Sequence, residues 1–299
     1  MRTLWKTLAY GGGAIALLAV VLAGVVYARS NARLKKIYVV TPRPLTVPSD
    51  AAAIAWGRHI ANTRGCVECH GRDFGGAKII ESTAMGRIHG SNLTSGRGSM
   101  TTQFQDADWV RSIRHGVTSG GRGLFLMPAQ EYAHFSDRDL GSVIAFLKSI
   151  PPVDRDPVPI CFGPVTRGLL VTGKMKLAAE VIDHPNVNPV APLKSATVEY
   201  GRYLAYGCTA CHGANFSGGK IDSGPRGWPR ASNLTPHASG RLPRWTEVDF
   251  MRAMREARRP DGSEVDPVMP RGFGGMDDEE LRALFLFFKS LPPVATGLR

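Results

Sequence analysis

The chain has 299 residues, with no acidic residue before Asp50 and no segment in which apolar and polar residues alternate at period two for long. The second absence excludes a sandwich or barrel of half-buried strands. The first shows where the charge lies. Lys and Arg outnumber Asp and Glu by 37 to 25, a net charge of +12, which raises nucleic acid as a partner. The distribution argues against it. Residues 1–49 hold seven basic residues and no acid, 50–150 eleven against nine, 151–197 five against four, and 198–299 fourteen against twelve. The excess is concentrated at the N-terminus, and no nucleic-acid face is expected. Cysteine is scarce too, at five residues.

Four of those cysteines stand in two pentapeptides, Cys66-Val67-Glu68-Cys69-His70 and Cys208-Thr209-Ala210-Cys211-His212. This is the pattern by which a chain covalently captures c-type haem. Two thiols three residues apart reach the vinyl groups on one porphyrin edge as thioethers, and the adjacent histidine lies under the iron as proximal ligand. A zinc ribbon sets its two CxxC pairs about 15–20 residues apart, whereas most of the chain separates Cys69 from Cys208. A thioredoxin-like dithiol needs a βαβ setting that neither motif has.

Each motif belongs to a longer repeat. A shift of 142 relates Cys66 to Cys208, Phe74 to Phe216, and Lys78-Ile79 to Lys220-Ile221. A shift of 141 relates Ser91-Asn92-Leu93-Thr94 to Ser232-Asn233-Leu234-Thr235, and Lys148-Ser149-Ile150-Pro151-Pro152-Val153 to Lys289-Ser290-Leu291-Pro292-Pro293-Val294. The repeat nominates second axial ligands as well. Met127 precedes Pro128 and Met269 precedes Pro270, each methionine 57 positions after its histidine. A thioether is a soft neutral ligand that favours ferrous iron and raises the potential. Met276 is an alternative in the second copy, and its counterpart is His134, which leaves a His/His pair open for the first.

Both copies resemble class I c-type cytochrome domains, and the pair is similar to membrane-anchored dihaem cytochromes that serve bacterial dehydrogenases and respiratory chains. The resemblance covers roughly residues 50–153 and 195–299. It implies a glycine-bearing first helix, matched by Trp56-Gly57-Arg58-His59-Ile60 and Tyr200-Gly201-Arg202-Tyr203-Leu204. It also implies a C-terminal helix with aromatic residues, matched by Leu140, Ile144, Phe146 and Leu147 and by Leu281, Phe285, Phe287 and Phe288. The copies depart from each other in one respect, since Gly57 lies nine residues before its first cysteine and Gly201 seven.

Ser136 with Asp139, and Asp277 with Glu280, have the spacing of helix N-terminal caps, each ahead of an apolar run that ends at two prolines. Asp106 and Thr246 open shorter helices carrying Trp109 and Ile113, or Phe250 and Met254, at helical spacing. These side chains are expected in the core. The glycine-rich stretches 71–98 and 213–240 are expected as haem-wrapping loops without strands. The predicted fold is therefore all-α: two tandem class I cytochrome c-like domains, 50–153 and 195–299, after one N-terminal transmembrane helix. A membrane anchor and basic juxtamembrane segment occupy 1–49, and a proline-rich linker 154–194.

Residues 8–28 are uncharged and span about 31 Å as a helix, enough to cross a bilayer. Tyr10 and Tyr27 sit where interfacial aromatics belong. A retained anchor is preferred to a cleaved signal peptide, whose apolar core is usually about 7–15 residues. The resemblance places the haem domains on the periplasmic side of the inner membrane. Flanking charge points the other way, with Arg29, Arg33, Lys35 and Lys36 after the span, but large domains translocate regardless of it. That basic run is expected as a collar on anionic lipid headgroups.

Arg252, Arg255, Arg258 and Arg259 are expected as a solvated helix face, and Cys161 as a buried inert thiol. His59, His89, His115, His184 and His237 are expected at the surface or beside haem propionates. The linker is expected to run across both domains and fix their orientation. With His70 and Met127 on one iron and His212 and Met269 on the other, two covalently bound haem c groups would have no site left for substrate. The expectation is an electron-transfer protein and not an enzyme, relaying single electrons from a dehydrogenase or quinol-oxidising complex to another cytochrome or a terminal oxidase. The alternative is a dihaem redox enzyme of peroxidase or thiosulfate-oxidising type with one open haem.

Overall fold

The computed structural model describes residues 2–187, 190–221 and 227–298; Pro189 of the linker lies outside them. The chain is mostly helical. A long apolar helix α1 (Arg2–Leu34) precedes two modules with their own cores. The first comprises α2 (Ala51–Thr63), α3 (Cys66–His70), α4 (Asp106–His115), α5 (Ala129–Tyr132) and α6 (Asp137–Ser149). The linker contributes α7 (Pro164–Val171). The second module repeats the plan with α8 (Val198–Ala205), α9 (Thr209–His212), α10 (Glu247–Glu256) and α11 (Asp278–Ser290).

The helix starts follow the cap chemistry. Ser136 accepts from the Asp139 amide, and Asp277 and Glu280 form a reciprocal capping box. Thr246 caps α10 in the same way, while α4 begins at Asp106 with Gln105 as its cap. In each module the first and last helices cross at a glycine. A Cβ on Gly57 would stand 1.9 Å from the Ser142 carbonyl oxygen, and one on Gly201 2.0 Å from that of Ala283. Backbones this close admit no side chain, so Gly201→Ala is expected to cost about 1–3 kcal/mol or more through overpacking. Denaturant unfolding checks it, and an unshifted midpoint would mean that the crossing tolerates a methyl group.

The difference in glycine-to-cysteine spacing is taken up after the crossing. α2 runs straight to Thr63. α8 stops at Ala205, and a single 3₁₀ turn over Tyr206–Cys208 leads into α9.

The strand-free expectation for 71–98 fails. Strands β1 (Lys78–Ser82) and β2 (Gly86–His89) form an antiparallel hairpin, and β3 (Cys161–Phe162) adds to its edge. The hairpin is too short to show a period, and its third strand comes from the linker. Position 86 must be bare, since a Cβ there would meet the Cys161 carbonyl oxygen at 2.0 Å. Cys161 is exposed, contrary to the buried thiol expected, because a two-residue edge strand leaves its side chain uncovered.

The linker packs chiefly on the first module and on α1. Arg33 forms an ion pair with Glu180 at 2.5 Å, and Arg167 donates to Ser30 Oγ and Asn31 Oδ1 while lying 4.2 Å from the Tyr27 ring centre. Arg33 is thus tied to protein instead of forming part of a lipid collar.

The modules contact each other directly, and the contacts run both ways. His59 Nε2 lies 2.6 Å from Glu280 Oε2, and Tyr203 Oη donates to Asp139 Oδ2 at 2.5 Å. His59 and Tyr203 each follow their crossing glycine by two residues, and Asp139 and Glu280 are 141 positions apart. Arg64 Nη1 contacts Met276 Sδ at 3.1 Å, and Tyr206 stacks on His134 at 3.5 Å. Arg64 and Tyr206 each precede the first haem-motif cysteine by two residues, and His134 and Met276 are 142 apart. The same positions meet the same positions, as in an isologous dimer interface, so the modules are related by a local two-fold axis. This contact holds the modules together, with the linker adding Lys194, which pairs with Asp277 and lies 4.9 Å from the Trp56 ring.

Candidate haem sites

The first CxxCH motif forms a short helix that starts just after Gly65, the second follows a 3₁₀ turn containing Gly207, and both end at a glycine with positive φ, Gly71 or Gly213. The geometry around the histidines is duplicated. His70 Nδ1 lies 2.8 Å from the Ser91 carbonyl oxygen, and His212 Nδ1 2.7 Å from that of Ser232. A carbonyl at Nδ1 fixes the tautomer and ring plane that a metal-bound histidine uses, with Nε2 facing the metal. Burial pushes His70 below its ordinary value, which keeps the imidazole neutral as ligation requires. Burial also pushes the Cys66 and Cys208 thiols up to about 12.

The recurring Asn-Leu-Thr segments hold these carbonyls in place. Asn92 donates to the Val153 carbonyl at 2.7 Å while its own oxygen accepts from the Thr94 amide and hydroxyl. Asn233 makes the corresponding bonds to Val294 and Thr235. Thr94 and Thr235 return the link by accepting from the Val153 and Val294 amides. Two repeat landmarks 59 residues apart are therefore one contact. Phe74 and Phe216 hold positive φ in both copies and pack edge-on to Phe146 and Phe287.

In the second module a cavity of about 1210 Å³, counting its open mouth, is lined by Cys208, Cys211, His212 and Met269 together with Leu284 and Phe288. Its wall of two cysteines, a carbonyl-oriented histidine and a methionine has the donor chemistry of covalently attached haem. In the first module Met127 and Cys66 pack against the core that contains Trp109, Ile113 and Phe146. The structure thus brings Met269 to the cavity of its histidine, and Met127 to the core against which Cys66 also packs.

Met276 does not line that cavity. It is buried at the module interface against Arg64, and His134 is stacked on Tyr206. His59 and His115 depart from the surface expectation: His59 belongs to the interface, and His115 is buried with Nδ1 3.1 Å from His184 Nδ1. The arginine cluster on α10 and the turn after it is largely paired. Arg252 meets Glu256, Arg255 meets Asp278, and Arg258 meets Glu264.

Residues 52–147 match the family described as cytochrome C oxidase, cbb3-type, subunit III, and residues 198–292 match cytochrome c. The chain carries two cytochrome c domains. These domains imply haem c in each. The chain is 28% identical over 283 residues to the gluconate 2-dehydrogenase cytochrome c subunit of Pantoea cypripedii, covering 80% of this chain and 60% of that one. It is 27% identical to the cytochrome c subunit of a quinone alcohol dehydrogenase from Gluconacetobacter polyoxogenes, covering 83% and 58%. It is 26% identical to a diheme cytochrome c-type protein of Cereibacter sphaeroides, covering 80% and 86%. The dihaem cytochrome chain thus spans about 60% of the length of the two dehydrogenase subunits.

The module interface was missed in the sequence because its residues differ between copies. Subtracting the repeat shift from Glu280 and Met276 gives Asp139 and His134, and that pairing was the available signal.

Proposed function

We propose that this protein is a membrane-tethered dihaem cytochrome that relays single electrons through two closed haem sites. Cys66 and Cys69 would hold one haem and Cys208 and Cys211 the other, with His70 and Met127, and His212 and Met269, as the iron donors. The observation that carries the reading is the second-module cavity lined by His212 and Met269 together, in a chain whose first module repeats the landmarks.

A haem so held supplies a one-electron ferric/ferrous couple. The chain's own residues do the rest. Ser91 and Ser232 orient the imidazoles, and the methionines would supply the last donor at each iron, leaving no site for substrate. The apolar walls exclude water. The domains in this reading are 50–153 and 195–299 with 154–194 as linker, supported by the two separate cores, the first of which also takes in Leu45 and Val47. α1 contains one stretch, Leu8–Leu34, long and apolar enough to cross a membrane, with mean hydropathy 2.2. As a retained anchor in the inner membrane it would place the haems at the periplasmic surface, since c-type cytochromes are extracytoplasmic. The relatives include cytochrome subunits of dehydrogenases, which supports a periplasmic dehydrogenase or quinol-oxidising complex as donor and a cytochrome or terminal oxidase as acceptor.

A carbon monoxide titration of the dithionite-reduced, haem-quantified protein tests this. Neither haem is expected to bind. Stoichiometric binding at one haem would mean an open site and replace the relay with an enzyme.

A further inference from the structure

The linker meets α1 where the chain leaves its apolar span. Arg167 of α7 donates to Ser30 Oγ at 2.8 Å and to Asn31 Oδ1 at 2.9 Å, and its guanidinium lies over the Tyr27 ring. Three residues on, the Leu170 carbonyl accepts from Arg33. α7 therefore runs in the same sense as α1, and its first residues, Pro164 and Val165, point back toward the span. The β1–β2 turn lies at that same end, since the Val165 amide donates to the Ala84 carbonyl at 3.0 Å. Val26 is the first of the described residues in α1 that is not exposed, which marks where this cover begins. Residues 8–28, at about 1.5 Å each, fill a hydrocarbon layer of roughly 30 Å. Tyr27 then stands at the headgroup boundary, with the start of α7 beside it.

The surface presented there is short of charge. From 157 to 173 the only charged residue is Arg167, and it is turned inward onto α1. Ile160 is 48% and Val165 46% exposed, and Pro164 and Ala84 are exposed beside them. Residues 82–86 of the hairpin turn are uncharged as well. Cations stand farther out. Arg29, Lys35 and Lys36 at the end of α1, and Lys174 and Lys176 beyond the end of α7, are exposed, and none has an acidic partner among the described residues. The acids of the region are engaged elsewhere: Glu180 with Arg33, Glu81 with Lys78, Asp156 with Arg97, and Asp183 with the Asn186 amide. Apolar side chains at the boundary with unpaired cations beyond them are the pattern of a segment lying in the membrane interface, its apolar part among the upper acyl carbons and its cations among anionic headgroups.

We propose that the start of α7 and the β1–β2 turn form a foot that rests in the lipid interface, so that the first module is seated on the bilayer at a second point besides α1. This rests on the retained-anchor reading. The occupant is the anionic phospholipid surface that α1 crosses. Lipid is favoured over a second protein because the patch continues the apolar surface of α1 at the depth where lipid already stands. Two supports keep the module from swinging about the end of α1 and hold its haem at a fixed height above the membrane.

The test is photocrosslinking of the full-length holoprotein in vesicles of phosphatidylcholine and phosphatidylglycerol. Cys161, exposed in β3 and the one cysteine outside the haem motifs, takes a short diazirine reagent. Irradiation and mass spectrometry of the labelled peptide then read what lies beside it. Adducts with phospholipid acyl chains are expected. The same reagent in Cys161→Ser with Val248→Cys, an exposed position on α10 of the second module, is expected to capture water. Val165→Glu sets a charge in the interface and should lower the lipid yield at Cys161 several-fold.

Flotation of the same vesicles in alkaline carbonate separates the two readings. Protein that does not float overturns the retained anchor and the foot with it. Protein that floats while Cys161 captures only water, or no more lipid than Val248→Cys, overturns the foot and leaves the anchor standing. Capture of a second copy of the chain in place of lipid overturns it too and makes this face a protein contact, as does a yield that Val165→Glu leaves unchanged overturn the part given to α7.

Discussion

Replacing Met269 with leucine is expected to lower the potential of the second haem by on the order of 0.1 V or more, within the roughly 0.8 V that axial ligands span. The physical cause is the loss of a neutral, soft sulfur that stabilises the ferrous state. Leucine fills a similar volume, so the cavity wall is kept while the donor is lost. Spectroelectrochemistry should show one wave displaced and the other close to its wild-type place, and Met127→Leu should displace the other wave. Met276→Leu is the control, because that side chain is buried against Arg64 at the module interface. An unmoved wave in Met269→Leu, with a moved one in Met276→Leu, would reassign the ligand.

Removing Glu280 is expected to cost about 3–5 kcal/mol, the usual penalty for stranding one member of a buried ion pair. Its side chain is fully buried, and it takes hydrogen bonds from Arg64 at 3.0 Å and from the Asp277 amide, with His59 2.6 Å away. Arg64 is only 7% exposed, so Glu280→Ala leaves a buried guanidinium facing a void. Glu280→Gln separates charge from capping, since it can keep the bond that closes the helix start. Replacing both partners, with Arg64→Met and Glu280→Leu, should recover much of the loss. Denaturant unfolding of the holoprotein reads all three variants, and a loss below about 1 kcal/mol in Glu280→Ala would show that the pair is solvated like a surface bridge.

The same residue gives the interface a pH dependence. Burial pushes the Glu280 carboxyl up, but the His59 hydrogen bond and the Arg64 charge outweigh it and hold the group below its ordinary value. A depressed carboxyl contributes stability that is present above the unfolded value, about 4.3, and is lost as pH falls through the folded one. Acid should therefore loosen the modules.

The cytochrome domains were legible because covalent chemistry and repetition are local. CxxCH needs five consecutive residues, and a shift of 141 or 142 is visible without coordinates. Helix caps at Ser136, Thr246 and Asp277 were legible for the same reason. The β1–β2 hairpin was hidden because its third strand joins from residues 161–162, and nothing near Gly86 announces that partner. The two-fold contact was hidden by chemistry that had diverged at matched positions: histidine faces glutamate on one side where tyrosine faces aspartate on the other. Ser91 and Ser232 stood out as repeats, yet their role lies in a main-chain oxygen, which a side-chain pattern does not display.

Two like modules related by a two-fold axis form a conductor that reads the same from either end. Such an arrangement by itself favours neither direction of current. Any bias therefore has to come from matched places where the halves no longer agree, and five stand at the junction: His59 against Tyr203, Arg64 against Tyr206, Asp139 against Glu280, His134 against Met276, and Glu131 against Phe273. The geometry joins the two ends, and a polarity in the proposed relay would have to arise at such mismatches.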